Sequence, residues 1–179
     1  MSHPTTQPEK NLLDRYQDYR IRRFLKSERT YAQWLPSWRP QRRRRMLVVG
    51  LAVTFAFMAV VGVVCAFGVP WAPLLWLPAL ALYFPMWIVL QIVSGRRGDA
   101  PEGALDEYEI AQRNNARSIG LTATQYLMLL PIFYLIFGAV ITKGTDTAMA
   151  YAGGLMATTV LTFGGCLPAM ILGWTRTDD

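Results

Sequence analysis

The side chains equipped for chemistry are few and lie at the margins of the apolar sequence. Asp99, Glu102, Asp106, Glu107 and Glu109 place five carboxylates within eleven positions, enough to suggest a hard-cation site or the acid–base pair of a surface enzyme. No histidine or cation-loop pattern accompanies them, and such a run ordinarily forms a solvated face, so no metal is assigned. Cys65 and Cys166 are the only thiols and have no histidine near them in sequence, which makes no zinc ligand set. The sole histidine, His3, cannot supply a pair of haem ligands. Arg39 and the run Arg42, Arg43, Arg44 and Arg45 could attract a polyanion. No Gly-x-Ser-x-Gly, His-Glu-x-x-His or phosphate-binding loop is present.

Those residues are separated by four long apolar runs. Of the 179 residues, 53% are hydrophobic and 17% charged, and the charges are crowded into a few stretches. A helix crosses a hydrocarbon core about 30 Å thick with roughly 20 apolar residues. Met46 to Val69, Leu74 to Val93, Leu121 to Thr142 and Ala148 to Trp174 meet that requirement, and none contains Asp, Glu, Lys, Arg or His. Short connections, Pro70-Trp71-Ala72-Pro73 and Lys143 to Thr147, join them in pairs, each expected to be a tight helical hairpin. The expected fold is all-α: a polytopic membrane protein of four transmembrane helices with an N-terminal cytoplasmic amphipathic helix. It divides into a basic tail (1–45), a first hairpin (46–93), a cytoplasmic loop (94–120), a second hairpin (121–174) and a short tail (175–179).

Orientation follows from the retention of Lys and Arg on the cytoplasmic side. Seventeen of the eighteen fall in the N-terminal segment, the central loop or the C-terminal tail, and only Lys143 falls opposite. Both termini are therefore expected in the cytoplasm of a plasma-membrane protein. Trp34, Trp38 and Trp174 lie near the inner boundary and Trp71 and Trp76 near the outer one, where amphipathic rings favour the headgroup layer. The first apolar run is too long and begins too late for a cleavable signal peptide. Cys65 sits about 6 Å from the outer end of its span and Cys166 about 27 Å from the outer end of its own, which separates the thiols too widely for a disulfide.

From Asn11 to Leu35 there is no Gly or Pro, and Leu12, Tyr16, Tyr19, Phe24, Leu25 and Ala32 recur at helical spacings. This reads as a basic amphipathic helix along the inner surface or against a partner. Its Arg22, Arg23 and Lys26, with Arg42 to Arg45, are assigned to anionic lipid headgroups or to an acidic protein surface. Nucleic acid is not expected, because a bilayer already supplies the polyanion and no nucleic-acid motif is present. In the central loop a helix is expected from Leu105 onward into the third span, with Glu109 and Arg113 as an i,i+4 pair.

Catalysis or transport within a bilayer usually retains an ionisable group there despite its desolvation cost. The spans hold none, so the expectation is a chain that is not an enzyme and carries no cofactor. What the spans do hold suits packing. Ala150, Gly154, Thr158 and Thr162, continued by Gly165, Ala169 and Gly173, set small residues at three- and four-residue steps, a groove that admits another helix from this chain or from a partner. Trp76, Leu80, Tyr83 and Trp87 form an aromatic stripe on the second span that could meet lipid, protein or a quinone-like molecule. Pro85 and Pro131 are expected to kink their helices, and Gln91 and Gln125 to hydrogen-bond between spans two and three. An alternative is a small oligomeric transporter or channel lined by Thr158, Thr162, Gln91 or Gln125.

The run Leu105-Asp106-Glu107-Tyr108-Glu109-Ile110-Ala111-Gln112-Arg113-Asn114-Asn115-Ala116-Arg117, set between two hairpins after a basic segment, resembles small four-span membrane proteins of actinobacteria. In its four spans and its mass of 20.2 kDa the chain is also similar to small accessory subunits of the actinobacterial cytochrome bcc–aa3 respiratory supercomplex. The resemblance spans nearly the whole chain as a layout. It implies a cofactor-free peripheral subunit that helps to hold the oxidase assembly together, and it carries over no catalytic residue.

Overall fold

A computed structural model of the chain describes residues 40–94 and 106–175, together with Tyr19, Arg22, Arg23, Lys26 and Trp38. The described residues form helices and no strand: α1 (Gln41–Ala66), α2 (Trp76–Val93), α3 (Glu107–Thr142) and α4 (Thr147–Thr175). Helices α1, α3 and α4, and α2 taken with the helical turn before it (Ala72–Val93), are long and apolar enough to cross a membrane, as a multi-pass protein requires. The amphipathic helix expected over 11–35 lies outside the described residues, apart from Tyr19, Arg22, Arg23 and Lys26, which are helical and exposed.

Helix α1 starts five residues before its apolar run. Pro40 precedes it, and the Pro40 carbonyl accepts hydrogen bonds from the Arg43 and Arg44 amides at 2.9 and 3.2 Å. The four arginines are therefore helical, and the spiral sorts them. Arg44 lies three, four and seven residues before Leu47, Val48 and Leu51 on the buried face, and is itself 3% exposed. Arg42, Arg43 and Arg45 point outward. Of the four arginines assigned to lipid headgroups or an acidic partner surface, Arg44 is instead buried within this chain. Replacing Arg44 with alanine is expected to lower stability by roughly 2 kcal/mol, through lost packing of its stem and lost polar contacts. Arg42→Ala should cost under about 0.5 kcal/mol. Thermal unfolding in detergent measures both.

The first connection is longer than hydropathy suggests. Helix α1 stops at Ala66, where Gly68 takes a φ of +72° that favours glycine, and its amide bonds the Cys65 carbonyl at 3.0 Å. Pro70 and Pro73 then enforce a short 3₁₀ turn, Ala72–Leu75, before α2. Val69 is thus connection rather than span, whereas Leu74 lies in the helical turn that opens the second span, Ala72–Val93. At the second connection Lys143 adopts φ 53° and Gly144 φ +72°, and the Gly144 amide returns to the Ala139 carbonyl at 3.0 Å. Asp146 then caps α4, its carboxylate accepting from the Met149 amide at 3.1 Å.

Asp106 caps α3 in the same way, accepting from the Glu109 amide at 2.7 Å. It therefore lies just outside the helix it was expected to join. The 36 residues of α3 span about 54 Å, longer than a hydrocarbon core, so loop helix and third span are one continuous rod.

The hairpins meet through α1 and α4. Helix α3 packs along α4, and α2 packs on α1 with lighter contact to α4. The core joins Leu47, Leu51, Phe55 and Met58 to Ala79, Tyr83 and Leu90 and to Cys166 and Met170. Phe55 meets Tyr83 and Phe163 edge to face at 5.6 and 5.4 Å. Helix α3 buries almost none of its apolar stretch; Leu130, Phe137, Val140 and Ile141 are exposed. In water that surface would be a large unpartnered patch, whereas in a bilayer it faces lipid.

Candidate partner-docking face

Helix α4 carries two glycine doublets, and each is split between opposite surroundings. At Gly153 an added Cβ would lie 2.6 Å from Leu135 Cγ, and at Gly164 2.8 Å from Thr124 Cβ. Both contacts cross to α3, whose backbone approaches closely only because no side chain intervenes. At the adjoining Gly154 and Gly165 an added Cβ would meet nothing within 4 Å. The inner members hold the hairpin together, and the outer ones are open.

The open arc follows from helix geometry. Each four-residue step rotates the row by about 40°, and a three-residue step turns it back by about 60°. Ala150, Gly154, Thr158 and Gly165 stay within one exposed strip, with Leu161 beside them. Thr162 drifts to its half-buried edge, and Ala169 and Gly173 turn into the core. The row expected as one groove is thus two surfaces: a packed inner third and an open strip on the remainder. The internal contacts at Gly153 and Gly164 were not singled out in the sequence, although the doublets Gly153-Gly154 and Gly164-Gly165 are the signal that could have found them.

The strip is polar only in form. Thr158 donates its hydroxyl hydrogen to the Gly154 carbonyl at 2.8 Å, and Thr162 to the Thr158 carbonyl at 2.7 Å. Each hydroxyl is satisfied by its own helix, which leaves methyl groups to line the surface. Gln91 lies on α2 and Gln125 is exposed on α3, and these two helices do not pack along each other. The expected hydrogen bond between them does not form: Gln91 Oε1 is enclosed with no hydrogen-bond partner among the described residues. The four side chains considered for a pore do not share one surface.

The aromatic stripe turns inward. Tyr83 is buried and its hydroxyl lies 3.4 Å from Cys166 Sγ, while Trp76 and Trp87 pack against the same core as half-buried residues. All three serve contacts within this chain. Cys65 and Cys166 are both free and buried. Among the described residues no three His, Cys, Asp or Glu side chains gather as a cation would need.

At the other end of the molecule two tryptophans are held by the outward arginines. Arg43 lies 5.8 Å from the Trp38 ring and Arg45 5.0 Å from the Trp174 ring. Arg113, expected as the i,i+4 partner of Glu109, is 3% exposed and donates to Asn114 Oδ1 from Nε and a terminal nitrogen at 3.3 and 3.2 Å. Comparison of the chain with protein families, with curated proteins and with solved structures finds no match.

Proposed function

We propose that this protein is a non-catalytic integral membrane subunit that packs against and stabilises a larger membrane complex. One observation carries the reading: α4 keeps a strip of small residues, Ala150, Gly154, Thr158 and Gly165, open in the folded chain, while the neighbouring glycines are already consumed by α3. In a bilayer apolar contact with lipid and with protein are nearly equivalent, so close approach between helices depends on shape and small residues. A partner helix of this kind is admitted where a leucine-rich surface would hold it off.

The layout supports a more specific assignment, to the actinobacterial cytochrome bcc–aa3 assembly in the plasma membrane with both termini cytoplasmic. In that setting Arg22, Arg23 and Lys26, with the outward Arg42, Arg43 and Arg45, contact anionic lipids or an acidic partner surface. The chain would contribute no cofactor of its own. Purification from native membranes in mild detergent, followed by mass spectrometry and a haem spectrum, tests both levels. Co-purified membrane proteins support the subunit reading and haem supports the respiratory one. A solitary chain of 20.2 kDa counts against both.

A further inference from the structure

The start of α1 presents a cleft that the docking strip does not use. Gln41, Arg42, Arg45, Met46, Val49 and Gly50, all on this one helix, line a shallow space of about 590 Å³ that is open along its outer face. These positions extend about 13 Å along the helix, from its polar end into the apolar run. The cleft therefore crosses the depth at which a lipid changes from headgroup to hydrocarbon.

Its two ends differ in chemistry. Arg42 and Arg45 are exposed, and among the described residues neither has an ion-pair partner. Arg45 is oriented by its contact with the Trp174 ring, which limits the freedom lost on binding an anion. The apolar end continues along the outer face of α1 as exposed Val49, Val53, Val60 and Val63. These β-branched side chains have few rotamers and make a stiff ridge suited to an extended hydrocarbon chain. Two uncompensated guanidinium groups above an apolar track fit a negatively charged phosphate joined to an acyl chain.

We propose that this cleft binds one anionic phospholipid, its phosphate between Arg42 and Arg45 and an acyl chain along the valine ridge. The proposal rests on the membrane reading above but not on the existence of a partner complex, and it is tested on the isolated full chain. The protein is reconstituted in phosphatidylcholine nanodiscs containing dilute phosphatidylglycerol, then released and examined by native mass spectrometry. One phosphatidylglycerol per chain should be retained in preference to phosphatidylcholine.

R42Q/R45Q should weaken that retention about thirtyfold, the combined worth of two basic groups near an anionic headgroup. R117Q/K143Q removes the same charge at exposed positions elsewhere and should leave retention unchanged. M46W fills the apolar end and should weaken retention with both arginines present. Inorganic phosphate should not displace the lipid. Equal retention of the two lipids, equal loss in R117Q/K143Q, no loss in R42Q/R45Q or M46W, or displacement by phosphate would each overturn the assignment. Lipid retention and co-purification of a complex are separate readouts, so either proposal can fail alone.

Discussion

Gly164→Ala is expected to destabilise the α3–α4 hairpin by about 3 kcal/mol, and Gly164→Leu to prevent its native packing. The added carbon falls 2.8 Å from Thr124 Cβ and 3.0 Å from Thr124 Cγ2. Thr124 cannot easily yield, because it is β-branched and its hydroxyl donates to the Gly120 carbonyl at 2.6 Å. Gly153 is the milder site: its added carbon meets Cγ and the methyl groups of Leu135, a side chain that can leave by changing rotamer. Thermal unfolding in detergent should rank Gly164→Ala below Gly153→Ala, and Thr124→Ala should restore part of the loss at Gly164. Recovery in the double variant identifies the contact itself, since independent sites would simply add.

One residue along, the outcome should reverse. Gly154→Leu and Gly165→Leu start side chains from Cβ positions with no neighbouring element within 4 Å among the described residues, so folding should be little affected. Stability could rise by up to about 1 kcal/mol, because glycine is a poor helix former. Docking of another helix should suffer instead. Co-purification of the complex is expected to fall at least tenfold, equivalent to about 1.4 kcal/mol, with unfolding temperature unchanged or higher. Unaltered co-purification in the double variant G154L/G165L would remove the strip from the docking surface.

Much of the fold was legible because a bilayer imposes few solutions. Uncharged runs of helical length had to be spans, and the short connections after Pro70 and Lys143 had to make hairpins. Span ends were less legible. Hydropathy carries the first span to Val69, but the helix stops at Ala66 because Gly68 and two prolines break it within apolar sequence. At the opposite end charge conceals helix, so the burial of Arg44 becomes visible only once residues 41–45 are placed on the same spiral as Leu47 and Leu51.

The candidate face was half legible, for a related reason. Composition identifies small residues but not the direction each one faces, and adjacent glycines a hundred degrees apart serve different surfaces. The aromatic stripe shows the same ambiguity. Trp76, Tyr83 and Trp87 share a helical face whether it meets lipid or core, and the position of α1 and α4 against it decides. The lone polar pair, Gln91 and Gln125, was misjudged because neighbours in sequence order need not be neighbours in a bundle: α1 and α4 occupy the centre and hold spans two and three apart.

The central claim is that the strip around Thr158 touches another protein in the membrane. Its most direct test is a photoreactive residue introduced at Thr158, activated in native membranes, with the same probe at the exposed Ile136 of α3 as comparison. The expected result is one dominant adduct with a specific membrane protein from Thr158 and lipid adducts from Ile136. Lipid adducts alone from both positions, in membranes where the chain is folded, would contradict it.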